Sequence, residues 1–193
     1  YSNYGTIGLI SNPTARLRKE GTLAFNWARL DPYIRGSIIA YPFEWMEASY
    51  QYTEVRNKLY SQNYEFSGNQ TFKDKGFDLK LRLLKESQLK PEISIGFRDA
   101  AGTGLFTSEY LVATKMLGNI DFTLGLGWGA LSASPRKNPL INISDRFRAR
   151  DKVEGSKGGE FTTDSFFSGD MGIFGGIEYF LPYLNGARIK IEY

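Results

Sequence analysis

The 193-residue chain has no cysteine and no histidine. The first absence excludes disulfides and thiolate metal sites. The second removes the commonest general base, the commonest metal ligand and the side chain that titrates near neutrality. A hydrolase or acyltransferase of the Ser–His kind is excluded on the same ground. No run of about 18 apolar residues occurs, so no transmembrane helix is encoded. A membrane barrel would escape that test, because its strands are about ten residues long and only half apolar. The net charge is only +3, with acids and bases intermixed. A dedicated nucleic-acid binder would present a basic stripe, so nucleic acid is not an expected partner. The first residue is Tyr1 and no signal peptide is visible, which reads as a processed chain or a piece of a longer one.

What the chain does have is aromatics at 15%, 21 glycines and a strict two-residue period. Phe77, Leu79, Leu81 and Leu83 alternate with Asp78, Lys80 and Arg82. Ile93, Ile95 and Phe97 alternate with Ser94, Gly96 and Arg98. Ile120, Phe122, Leu124, Leu126 and Trp128 alternate with Asp121, Thr123, Gly125 and Gly127. Successive side chains of a strand point to opposite faces, so each run predicts a strand with one apolar and one polar face.

Continued along the chain, the pattern predicts an irregular segment over residues 1–20 and nine strands. These are Gly21–Ala28, Ile34–Tyr41, Trp45–Thr53, Gly76–Leu84, Glu92–Asp99, Phe106–Met116, Ile120–Gly129, Gly169–Leu181 and Ala187–Tyr193. In the sixth, Tyr110, Val112 and Met116 are placed on the apolar face and Glu109, Ala113 and Lys115 on the polar one. Residues 54–75 and 130–168 lack period and read as long loops. If neighbouring strands are antiparallel, both long loops fall on one rim and every connection at the other rim is short. Outer-membrane barrels have that asymmetry, with short periplasmic turns and long extracellular loops. The predicted fold is therefore an all-β, antiparallel, up-and-down transmembrane β-barrel of about 8–10 strands over residues 21–193, with residues 1–20 at the periplasmic rim.

A lipocalin-like barrel or a β-sandwich has the same alternation with its apolar face turned inward. Three features favour lipid outside. The polar face mixes glycine with isolated charges of both signs, which suits a crowded polar lumen. Aromatics cluster near strand ends, including Trp27, Tyr41, Trp45, Tyr52 and Trp128, as they do where hydrocarbon meets headgroups. Small secreted soluble β-domains are commonly disulfide-bonded, and this chain has no cysteine. The expected lumen-lining residues are Glu47, Arg82, Arg98, Glu109, Asp121, Arg188 and Lys190. The expected lipid-facing residues are Phe77, Leu79, Leu81, Leu83, Ile95, Phe122, Leu124, Leu126, Ile189 and Ile191.

Paired carboxylates can hydrolyse a glycan, and acids stand at Glu44, Glu47, Glu109, Asp121 and Glu178. Acids alternating with Arg82, Arg98 and Lys115 read as balanced lumen charge instead. Gly102–Gly104 and Gly155–Gly159 open no helix and make no phosphate loop. The charged stretch Asp145–Glu160 reads as a solvated loop, with cation or sugar binding as the alternative. No catalytic residue, metal site or cofactor is expected, and the chain is not expected to be an enzyme.

Several segments in order resemble the YjbH-like, or group 4 capsule export, outer-membrane family. They are Gly5–Ile10 with Pro13–Arg16 and Gly21–Leu23, Pro32–Tyr33, Pro42–Glu47 with Tyr52–Thr53, Lys75–Lys80, Pro91–Ile93 with Gly96–Asp99, Gly125–Gly129, Phe166–Gly169 and Phe174–Tyr179. The resemblance implies a bacterial outer-membrane β-barrel that accompanies secretion of an exopolysaccharide or capsule, as conduit or as scaffold. Its partners would be outer-membrane lipid, polysaccharide and other export-machinery proteins. Rival readings are a general diffusion porin and a soluble periplasmic glycan-binding β-domain. Family members are several times longer than this chain. With nine strands the last would end at the extracellular rim, so further strands after Tyr193 are expected; the alternative reading makes Thr6–Ile10 a strand and the chain a complete small barrel.

Overall fold

A computed structural model describes residues 1–102, 104–150, 165–184 and 186–193. The described strands form one antiparallel sheet in chain order: β1 (Thr22–Leu30), β2 (Tyr33–Phe43), β3 (Met46–Leu59), β4 (Thr71–Leu84), β5 (Glu92–Arg98), β6 (Ser108–Leu117), β7 (Ile120–Trp128), β8 (Met171–Phe180) and β9 (Arg188–Glu192). Every strand pairs with its sequence neighbour. Among the described residues β1 and β9 are not paired to each other, so the sheet is open and these strands are its edges.

The nine strands lie where the two-residue period places them, with one large difference. Residues 54–75, read as a loop, are mostly strand. β3 and β4 continue past Thr53 as a hairpin and close through a four-residue helix, Tyr64–Ser67, capped by the Asn63 side chain. Alternation is lost there because residues 56–60 are exposed on both faces, so no buried face imposes a period on the sequence.

The sheet is rolled around residues 1–20. The Ile7 amide donates to Glu47 of β3 at 3.1 Å, and the next residue, Gly8, accepts from the Lys190 ammonium of β9 at 2.7 Å. In a flat sheet those strands would stand about 29 Å apart, at ~4.8 Å per spacing. Adjacent residues can bridge them only if the sheet curls until its edges approach across the segment.

Buried polar and charged side chains outnumber buried hydrophobic ones, and Leu23, Phe25, Trp27, Phe77 and Leu124 are all more than half exposed. That is the reverse of a water-soluble interior. Among the described residues one small apolar cluster lies inside, formed by Ala15, Tyr110, Val112 and Phe174 with Leu131 against it. Two of its rings rest on glycines of the next strand. A β-carbon at Gly96 would lie 2.1 Å from the Tyr110 ring, and one at Gly125 would lie 2.2 Å from Phe174. Those glycines stand in the polar face because they make room for aromatic rings.

Cross-strand partners share a face, which fixes the facing of β6. Leu79 pairs with Phe97 and Phe97 with Glu109, while Ile95 pairs with Leu111 and Leu111 with Leu126. Glu109, Leu111, Ala113 and Lys115 therefore lie on the outer, apolar face. Tyr110, Val112 and Thr114 lie inside. The sequence assignment for this strand is inverted, because a charge was taken to mark the inner face and Tyr and Val the outer.

Candidate functional site

The inner face and the segment it encloses form the most elaborate polar assembly among the described residues. Side chains of the sheet grip the segment by its backbone. The Glu192 carboxylate accepts from the amides of Ile10, Ser11 and Asn12 at 2.9–3.0 Å. Lys190 donates to the carbonyls of Gly8 and Leu9. Lys80 donates to those of Ile7 and Arg16, both at 3.0 Å, and Arg98 to that of Ser11 at 2.8 Å. The Ala15 amide donates to Thr114, and its carbonyl accepts from Ser94. These contacts supply partners for backbone groups of a segment that has no regular hydrogen-bonding ladder of its own.

Charge is balanced inside. Lys80 and Glu47, each 1% exposed, form an ion pair at 2.9 Å. The second Glu47 oxygen accepts from the Tyr41 hydroxyl at 2.6 Å and from the Ile7 amide. Toward the short-loop rim, Arg16 pairs with Asp121, Glu86 and Glu92, and Arg82 pairs with Glu92. Burial alone would raise the Glu86 carboxyl in the β4–β5 turn. The Met116 amide, Arg16 and Lys115 outweigh it and hold the group down at about 2. Toward the long-loop rim, the Tyr4 ring lies 4.2 Å from the Arg35 guanidinium and 4.1 Å from that of Arg98. Arg35 also meets Tyr33 and Phe106. Both arginines are buried, and ring faces supply part of their electrostatic compensation.

Beyond β5, Asp99 turns the chain with φ of 52°. Its amide donates to Asp78 and its carboxylate accepts from Phe106. Burial, then the neighbouring Asp74 charge, pushes this carboxyl up to about 7. Gly76 and Gly102 lack side chains where Asp99 needs the space: a β-carbon would lie 2.8 Å and 1.6 Å from its Oδ1.

Of the seven residues expected to line the lumen, six lie on the inner face. Glu47, Arg82, Arg98 and Lys190 make the contacts above, Asp121 binds Arg16, and Arg188 pairs with Glu178 at 3.0 Å. Glu109 is the exception. It lies on the outer face, fully buried under the β7–β8 connection, where Arg150 donates to both its oxygens at 2.7 and 2.8 Å and the Phe167 amide adds a third bond. Phe166 and Phe167 cover Phe97, and Phe167 also meets Trp128. The ten residues expected to face lipid lie on the outer face, each exposed or half-exposed. Of the stretch Asp145–Glu160, residues 151–160 lie outside the described residues. The rest includes a short 3-10 turn, Asp145–Phe147. Among the described residues no group of His, Cys, Asp and Glu side chains is arranged to hold a metal ion.

Sequence reasoning put Lys80 on the polar face but left Lys80, Glu92, Glu192 and Arg35 out of the expected lumen residues. The first three lie in phase with residues it placed there, whereas it gave the strand carrying Arg35 no facing. Arg16 gave no periodic signal. Only the surplus of acids among Glu86, Glu92 and Asp121, balanced on the strands by Arg82 and Lys115, hinted at a missing cation.

A family model named YjbH and described as "Exopolysaccharide biosynthesis protein YbjH" matches residues 1–193. The chain is 46% identical to the "Uncharacterized lipoprotein YjbH" of Escherichia coli (strain K12) over all 193 residues, which are 27% of that protein. The chain thus spans about a quarter of the length of that relative. No solved structure matches.

Proposed function

This chain belongs to the YjbH family of exopolysaccharide biosynthesis proteins, and from that premise we propose that it builds part of a β-wall in the bacterial outer membrane. In this reading the wall serves exopolysaccharide export as a scaffold with a filled interior. Its role is mechanical, not catalytic. The observation that carries the reading is the reversal of faces: oily side chains outside, charge and hydroxyls inside, around the protein's own segment. A nine-residue strand tilted by ~40° covers about 20–25 Å, the height of the apolar band of such walls. The relative's description as a lipoprotein supports membrane association.

The filled interior favours scaffold over conduit. Barrels of about eight strands are filled by their own side chains alone. A wall that also encloses 20 residues belongs to a wider barrel, and bare strand edges are not tolerated in hydrocarbon. We therefore assign pairing partners to both β1 and β9 in the assembled protein.

Planar-bilayer conductance of the full-length protein tests the scaffold role. Silence is the expected result, and steady ion-permeable steps would favour a conduit or porin. Solubility tests the wall itself: protein that stays folded and monodisperse in plain buffer, without amphiphile, contradicts it.

A further inference from the structure

The outer surface differs along the long-loop rim. Over β5–β8 it is covered by the β7–β8 connection, with Arg150 on Glu109 and Phe166 on Phe97. Over β1–β4 none of the described connections covers it, and the register stacks it in rows. Phe25, Ile38, Tyr50 and Phe77 form one row. The next toward the long-loop rim is Trp27, Gly36, Tyr52 and Lys75, with the Trp27 ring lying on Gly36. Then come Arg29, Ile34, Glu54 and Lys73, with Arg56 one row beyond on β3. Apolar gives way to aromatic, and aromatic to basic, on one continuous face.

The spacing matters. Rows on one face are two residues apart, about 7 Å along the strand, so the basic rows begin one row beyond the last wholly apolar one. Headgroups occupy about 5–7 Å beyond the hydrocarbon on each side of a bilayer. Four cations stand against two acids, Asp31 and Glu54. Asp31 meets Arg56 only at 3.4 Å in an exposed pair, and Glu54 is engaged by the Thr71 hydroxyl. Among the described residues Arg29, Lys73 and Lys75 have no carboxylate within ion-pair distance.

We propose that Arg29, Arg56, Lys73 and Lys75 form a docking strip for lipid headgroup phosphates of the leaflet at the long-loop rim. The inference rests on the lipid-facing reading above. It favours lipid over an acidic glycan because the strip continues the apolar outer face, whereas the hydrogen-bonding groups suited to a sugar chain line the inner one. The strip fixes the height of β1–β4 in the membrane, on the half of the wall that no described connection covers.

The test uses the full-length protein with a bimane label on Ile34→Cys, in the middle of the strip, and a second form also carrying Arg29→Gln, Arg56→Gln, Lys73→Gln and Lys75→Gln. Both are folded into vesicles of brominated phosphatidylcholine, and unbrominated phosphatidic acid is titrated in. Relief of quenching should give a preference for phosphatidic acid of about five- to tenfold with the native strip and near unity in the Gln form. A preference that survives the four substitutions, or is absent with the native strip, overturns the proposal while leaving the membrane wall intact. So does an unchanged lipid preference alongside binding of soluble polyglucuronate that only the Gln form loses. A label unquenched in every vesicle would instead overturn the lipid-facing reading itself.

Discussion

On β7 the inner face presents Asp121, Thr123, Gly125 and Gly127, and the outer face, one residue away, presents Ile120, Phe122, Leu124 and Leu126. Asp121 is 4% exposed and bound to Arg16, whereas Leu124 is 64% exposed. In a water-soluble sheet these exposures would be exchanged. The difference teaches that this fold is not held by an apolar core. Its interior is a network of buried charges held by ion pairs, backbone groups and ring faces, and its outer face is apolar and exposed.

The largest expected effect lies inside. Lys80→Met strands the Glu47 carboxylate in a fully buried site and should cost about 3–5 kcal/mol. Reversible urea unfolding of the full-length protein in vesicles would measure it. Adding Glu47→Leu should recover part of the loss, since replacing both partners of a buried pair costs less than removing one. If Lys80→Met is neutral, the interior is wetter than described and the comparison between the faces weakens.

Next comes the exterior. Leu124→Arg should cost about 2–4 kcal/mol in a membrane-embedded wall, and less than about 0.5 kcal/mol on a solvated surface. The same urea titration separates the two values.

A smaller effect is expected at the long-loop rim. The Asp99 carboxyl sits at about 7 in the folded protein against an ordinary 3.8. The folded state then holds a proton that the unfolded chain releases. Its contribution is full below about 3.8 and declines as pH rises toward 7. Asp99→Asn should flatten the fall in melting temperature across that window, and an unchanged slope would place the titration elsewhere.

Glu86 has the opposite sign. Held at about 2 against an ordinary 4.5, it stabilises above 4.5 and loses that contribution as pH falls toward 2. It lies at the surface end of the network, so Glu86→Gln should remove less than about 1 kcal/mol of acid sensitivity. Acid titration of the melting temperature reads it.

The strand count and the two faces were legible because a period of two survives wherever one face is buried, as in Ile93–Arg98 and Ile120–Trp128. It failed at Glu109, where charge was read as inner. That carboxylate can lie on the apolar face only because Arg150, 41 residues later, covers it. No local pattern carries such a contact. The β3–β4 extension was hidden for the opposite reason, since residues 56–60 are exposed on both sides. Least legible was the segment itself. Residues 1–20 have no period and read as a rim appendage, yet they occupy the middle of the polar face. Their place is set by Glu192, Lys190, Lys80 and Arg98, which bind backbone atoms. Recognition of backbone leaves little trace in side-chain identity.

The most direct measurement compares neighbours on β7. The chain has no cysteine, so Leu124→Cys and Thr123→Cys each place one labelled site, on opposite faces, in the full-length protein with any cysteine elsewhere replaced. In brominated-lipid vesicles the label at 124 should be quenched by lipid and shielded from aqueous iodide, and the site at 123 should escape lipid quenching. Strong lipid quenching at 123 with iodide access at 124 would contradict the assignment of the faces, and with it the membrane wall.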